Sequence, residues 1–214
     1  DVNDYHRIAY IKNAQISWKT GKWTFNGGLI SNTQFNVQEK FWGYRYIMKS
    51  FQDLYKFGNS ADLGISAAYK FSDWLSADAI VVNGEGYKKV QKGNGLQYGL
   101  GTTLSPVDGL SMRVYYGLNE ASDDAMANTQ NLATFIGYKG NGFSLGAEYN
   151  RIWNEKNVEG ADYNGFSIYG NLKLSKQADM YLRYDDCSKA DQYGIIAGVQ
   201  WKVGKYVKVS PNFR

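Results

Sequence analysis

The chain has 214 residues, enough for one domain or one piece of a larger one, and a mildly basic balance of +4. Its mean hydropathy of −0.48, with no run approaching the ~18 apolar residues of a membrane helix, excludes a helical membrane protein. A single cysteine, Cys187, excludes an intrachain disulfide framework, and dispersed Lys and Arg without a basic cluster or RNA-binding motif speak against nucleic acid as a partner.

Gly 24, Tyr 18 and Trp 6 against Pro 2 favour strands, and a two-residue period bears this out along the chain. The period predicts strands at 9–19, 23–32, 60–71, 74–84, 95–104, 110–119, 132–139, 143–152, 164–174, 178–186, 193–202 and 205–213, about twelve in all. In 60–71, Ala61, Leu63, Ile65, Ala67, Tyr69 and Phe71 share one face, and Asp62, Gly64, Ser66, Ala68 and Lys70 share the other. In 110–119, Leu110, Met112, Val114, Tyr116 and Leu118 oppose Ser111, Arg113, Tyr115, Gly117 and Asn119. Tight links such as Thr20-Gly21-Lys22 and Ser72-Asp73 alternate with long polar ones such as Glu85–Asn94 and Trp153–Tyr163. Short and long links in alternation predict a transmembrane antiparallel β-barrel of the outer membrane, with brief turns on the periplasmic side and extended loops outside.

A soluble sandwich or lipocalin-like barrel also has one apolar face, so the second face decides. Here that face carries Gly, Ser, Asn, Gln, Lys, Asp and Arg, as a wet lumen requires. On the apolar face Trp18, Trp23, Tyr69, Phe71, Tyr138, Phe143 and Trp201 lie beside short links, as an interfacial girdle would. Lys19, Lys70, Lys139, Lys173 and Lys202 end descending strands and are expected at the periplasmic rim, near anionic lipid headgroups. Strand 9–19 enters a short link and 205–213 leaves one, Val203-Gly204, so both ends of the chain fall on the outer side. Single-chain bacterial barrels keep both termini inside, which predicts further strands beyond both ends.

Residues 33–59 form the longest link. Phe41, Tyr44, Met48, Phe51 and Tyr55 recur every three or four residues, which predicts helix within it. Links of this length tend to be functional. A fold into the lumen, narrowing it, is preferred over an external lid or subunit contact. Arg45 and Lys49 are then the charges at the constriction. On the polar faces of the strands Arg113, Arg183, Lys208, Arg214 and the rim lysines outnumber Asp62, Asp78, Glu148, Asp179 and Asp185, which predicts a weak preference for anions.

Several segments resemble a known group. Lys12-Asn13-Ala14 is followed by Gly28-Leu29-Ile30, then by Phe35-Asn36-Val37-Gln38-Glu39-Lys40-Phe41-Trp42-Gly43-Tyr44-Arg45 and Ser60-Ala61-Asp62-Leu63-Gly64. Asn83-Gly84-Glu85-Gly86-Tyr87 and Gly146-Ala147-Glu148-Tyr149 continue the match over nearly the whole chain. Together they resemble the porin-like outer-membrane proteins of the Bacteroidetes, which are distantly similar to the phosphate-selective porins O and P. The resemblance implies a barrel of about sixteen strands. It also implies passive diffusion of small hydrophilic solutes, often with anion preference, and assembly as a homotrimer. The chain departs from the phosphate-specific members in having no dense arginine ladder, so phosphate selectivity is not expected.

Catalysis is not expected. The one histidine, His6, stands off any clear strand, and no Gly-x-Ser-x-Gly elbow occurs. Asp123-Asp124 and Asp185-Asp186 read as solvated carboxylates in or beside loops, Asp123-Asp124 without the ligand spacing of an EF-hand, and Cys187 as a loop residue without zinc-type companions. Asn83-Gly84-Glu85-Gly86 lacks the strand and helix that frame a phosphate loop. No metal or cofactor is therefore expected. Two alternatives to a general pore stand. A non-conducting adhesin or receptor would use Trp153, Tyr163, Phe41 and Trp42 for contacts. A specific saccharide channel would use Tyr115, Tyr169 and Tyr181 as a stacking track.

Overall fold

The computed structural model describes residues 10–91, 93–123, 125–190 and 193–214; His6, Ala9 and Asp124 lie outside them. Eleven strands follow the predicted order: β1 (Ala14–Thr20), β2 (Trp23–Ser31), β3 (Ala61–Lys70), β4 (Leu75–Val82), β5 (Gln97–Leu104), β6 (Leu110–Asn119), β7 (Thr129–Gly140), β8 (Phe143–Trp153), β9 (Tyr163–Lys173), β10 (Ala178–Cys187) and β11 (Gly194–Lys202). Two short pieces, β12 (Lys208–Val209) and β13 (Asn212–Phe213), both pair with β11. Each strand pairs antiparallel with its sequence neighbour, so the sheet is a simple meander from β1 to β12. Among the described residues β1 pairs with β2 alone, and the sheet is open at that edge.

The last predicted strand, 205–213, is divided in two. Trp201 faces Val209 and Ala197 faces Phe213, so one register runs through both pieces. Between them sits Pro211, which has no N–H to donate to the ladder, although its carbonyl still accepts from Val199. Cys187 is also corrected: it is the buried last residue of β10, not a loop residue. Asp185 and Asp186 likewise lie within β10.

The alternation places apolar side chains outward and polar ones inward. Leu100, Ile168 and Leu182 are 62%, 55% and 56% exposed, whereas Ser167, Asn150 and Arg183 are fully covered at 0%. A water-soluble sandwich buries the first set; only a lipid environment makes this arrangement favourable. Trp18, Trp23, Phe71, Tyr138, Phe143 and Trp201 stand exposed beside the short links, and Trp23 packs on Phe25 and Tyr69. No helix among the described residues is long and apolar enough to cross a membrane.

Glycines on the inward face of β5 make room for long side chains of β6. A Cβ on Gly99 would come within 1.9 Å of the Tyr115 hydroxyl, and one on Gly101 within 2.3 Å of the Arg113 guanidinium. The variant Gly99→Val is therefore expected to displace Tyr115 and cost about 1–3 kcal/mol, read as a lower urea midpoint in lipid vesicles.

Candidate functional site

The long link between β2 and β3 folds onto the inward face of the sheet. It carries two short helices, α1 (Asn36–Trp42) and α2 (Phe51–Tyr55). Gly43 ends α1 in the left-handed conformation, φ 71°, with its N–H bonded to Glu39 O, and the chain turns there. Neither helix has a side-chain cap, and both are too short to stand alone, so tertiary packing holds them.

That packing is aromatic. Phe41, Trp42, Tyr44 and Ile47 from the loop meet Phe135, Tyr169, Tyr181 and Ile196 from β7, β9, β10 and β11. Nearer the long links, Phe51 and Phe57 meet Ile152, Tyr163 and Cys187. Full burial of such side chains is worth about 1.5–3 kcal/mol each, which makes the contact a stable one. A layer of buried polar groups lies between loop and wall: Gln34 Nε2 donates to Gln52 Oε1 (2.8 Å), and Gln52 and Asn150 both donate to the Glu148 carboxylate (3.1 Å each).

The wall grips the loop backbone at several points. Arg113 donates to Thr33 O (2.8 Å) and Gln34 O (3.4 Å), and Arg183 to Lys49 O (2.7 Å). The Tyr169 hydroxyl donates to Gln38 O, and the Tyr163 hydroxyl to Tyr55 O and Lys56 O. Arg214 reaches Ile47 O (2.7 Å). All these anchors lie on β6, β9 and β10 or in the C-terminal segment, and on the wall at the other edge Gln15 and Ser17 of β1 stay exposed. That wall carries an uncharged ladder in which Ser17 and Gln15 donate to Asn26, and Asn26 donates to Ser66.

The residues expected to carry charge into the lumen divide into two groups. Arg113 is buried against Asp78, and Arg183 against Asp185. Asp185 is thus an ion-pair partner in the wall, not a solvated loop carboxylate. Asp62 is buried, and accepts from the backbone N–H groups of Leu63, Gly84 and Gly86. The Asn83–Gly86 turn therefore cradles an anion of its own chain, which the glycines at φ 92° and 86° permit. Arg45 is half-exposed and clasps Glu39 (2.9 Å) and Asp53 (2.7 Å), tying α1 to α2. Burial lowers the Arg45 pKa, but the Asp53 hydrogen bond and the charges of Glu39 and Asp53 outweigh it, so the group is held above its ordinary value. Burial lifts the hydroxyls of Tyr44 and Tyr55 to about 12, so neither adds charge to the loop near neutral pH.

The loop exposes Lys40, Lys49 and Lys56. Lys49 lies 4.0 Å from Asp53. Lys40 also borders a recess of about 400 Å³ at the short-link end, lined by Lys139, Lys173 and Lys208, with Asp179 the one carboxylate among its described lining residues. Asp179 already accepts from Gln200 (3.0 Å) and lies 3.8 Å from Lys202. Lys139 itself donates to Lys40 O and lies over the Phe41 ring. Lys19, Lys70, Lys139, Lys173 and Lys202 all stand at the ends of β1, β3, β7, β9 and β11, next to short links. Lys70 bonds Asp73 (2.6 Å), which holds the Asp73 carboxyl below the usual carboxylate range.

Tyr115, Tyr169 and Tyr181 point inward but are only 0%, 3% and 2% exposed, so they offer no stacking track in this arrangement. Phe41, Trp42 and Tyr163, considered for external contacts, are buried between loop and wall. Lys40 and Lys56 count among the charged residues of the segment with Glu39, Arg45, Lys49 and Asp53, but only Arg45 and Lys49 are singled out from the sequence, since no strand period marks a face on the loop. Sequence reasoning overlooked Tyr46, whose hydroxyl bonds Gln200 and Ser210, for the same reason.

Solved structures share this architecture. The outer-membrane expressed OmpT of Vibrio cholerae matches with a TM-score of 0.68 at 17% identity, over 95% of this chain and 69% of that one. The chain has the outer-membrane β-barrel fold. A mutant of Rh. blastica porin matches with a TM-score of 0.61 at 16% identity, over 92% of this chain and 70% of that one. A porin refined at 1.8 Å matches with a TM-score of 0.58 at 10% identity, over 92% and 73% of the two chains. No family model and no curated relative matches the chain. The fold and its apolar exterior are those of a chain that sits in the outer membrane.

Proposed function

We propose that the protein is a non-enzymatic outer-membrane channel for passive diffusion of small hydrophilic solutes, with a weak preference for anions. The observation that carries this reading is the set of exposed lysines on the inward loop, Lys40, Lys49 and Lys56, together with an uncharged ladder of Gln15, Ser17, Asn26 and Ser66 at the β1–β3 edge. Low-dielectric walls strengthen the field of such cations, and nothing on that ladder opposes them. The lysine-lined recess at the short-link end adds to the same field. The preference is weak because Arg45, Arg113 and Arg183 are each matched by carboxylates.

The resemblance of segments such as Phe35–Arg45 and Ser60–Gly64 to the porin-like proteins of the Bacteroidetes favours that group as the family, and a homotrimer as the assembly. Reversal potentials across a planar bilayer in a salt gradient test the charge preference. The wild type is expected to favour the anion. Replacing Lys40, Lys49 and Lys56 together by Gln is expected to lower the anion-to-cation permeability ratio about twofold. A cation-selective wild type sinks the anion preference. Absence of liposome swelling with every sugar tried sinks conduction itself and favours a receptor or adhesin.

A further inference from the structure

We propose that Arg113 and Arg183 are positioning residues. They fix how far the inward loop stands from the wall, and so set the size limit of the lumen, without meeting the solute. The inference rests on the channel reading for its consequence and on geometry for its cause.

A guanidinium has five N–H donors and no acceptor. In Arg113 all of them are taken. Nη1 donates to Asp78 (2.7 Å) and Thr103 (2.9 Å), Nη2 to Asp78 (2.9 Å) and Thr33 O (2.8 Å), and Nε to Gln34 O (3.4 Å). No donor remains for an anion in transit. Arg183 uses Nε and Nη2 on the two oxygens of Asp185 (2.7 and 2.6 Å) and Nη1 on Lys49 O (2.7 Å), while Trp42 lies 5.0 Å from its carbon. Its side chain is fully covered. Charge and donors are thus spent inside the wall and on the loop.

The accepting carbonyls explain the effect on the lumen. Thr33 and Gln34 begin the loop, and Lys49 lies at its crossing between α1 and α2. The wall strands do not need these bonds, since β6 and β10 are laddered on both sides. What the arginines add is the separation of loop from wall. The rigid, bidentate fork fixes that separation in a way a flexible ammonium would not.

Removing one partner alone would leave a buried charge unpaired, so both are replaced together. The double variant Arg183→Met/Asp185→Asn is reconstituted in liposomes and compared with the wild type. Swelling with a sugar just above the wild-type size limit is expected to speed up several-fold, with the reversal potential unchanged. An unchanged size limit overturns the proposal. So does a reversal potential shifted toward neutrality, because that is the loss of a cation that met the solute. The pair Arg113→Met/Asp78→Asn grips the loop at a separate place and is expected to act alike; it serves if the first variant does not fold. Should the wild type pass no sugar, the channel reading fails and trypsin decides the positioning role. Faster cleavage after the exposed Lys49 in either double variant upholds it, and a wild-type rate overturns it.

Discussion

The variant Leu182→Arg is expected to lose about 2–4 kcal/mol of stability in a bilayer, seen as a lower urea midpoint at constant slope. Leu182 lies in the middle of β10 and is 56% exposed on the outward face. Its neighbour Arg183 is already an arginine, yet inward parity gives that side chain Asp185 and a loop carbonyl as partners. One residue away, the same group would face hydrocarbon with no partner. The contrast tests the orientation of the whole sheet, because every strand follows one alternation. Ser17→Arg, at an exposed inward position of β1, is the control and is expected to cost under about 0.5 kcal/mol.

Trp42→Ala is expected to weaken docking of the loop by about 3–5 kcal/mol while leaving the strands intact. The ring is 1% exposed and lies edge-on to Tyr169 (5.8 Å) and Tyr181 (6.1 Å), between α1 and the β9–β10 wall. Its Nε1 donates to Met48 O (2.8 Å), so the same side chain also closes the turn after Gly43. Truncation leaves a cavity beside the Arg183 guanidinium and frees the segment around Lys49. The ladders of β9 and β10 do not involve the ring, so far-ultraviolet dichroism should keep its strand signal. Trypsin should cut faster after Lys49, and single-channel records should become noisier. An unchanged cleavage rate would place the energy of docking elsewhere.

The barrel was legible because lipid on one side and water on the other impose a strict two-residue alternation. The strand expected at 110–119 coincides with β6, and 143–152 differs from β8 by one residue. Inward parity of Arg113 and Arg183 was equally legible. Their partners were not, since Asp78 lies two strands away and the loop carbonyls are far off in sequence. A strand pattern gives the direction of a side chain but not what is laid over it. Helix expected within 33–59 comes in two pieces: the left-handed conformation of Gly43 turns the chain after α1, and α2 starts anew after Ser50. The spacing of Phe41, Tyr44, Met48, Phe51 and Tyr55 reflects packing on a wall, which aromatic side chains reach from irregular backbone as well as from a helix.

The grips on the loop also bear on the order of assembly. The meander pairs only sequence neighbours, so hairpins can zip in succession with little loop-closure cost. The loop is different. Gln38 waits for Tyr169, 131 residues later, Lys49 for Arg183, 134 residues later, and Tyr46 for Ser210, 164 residues later. An aromatic segment made early thus has no seat until β9, β10 and the chain beyond β11 are in place. Seating the loop is the closing event of folding, and it registers that the distant half of the sheet has formed correctly.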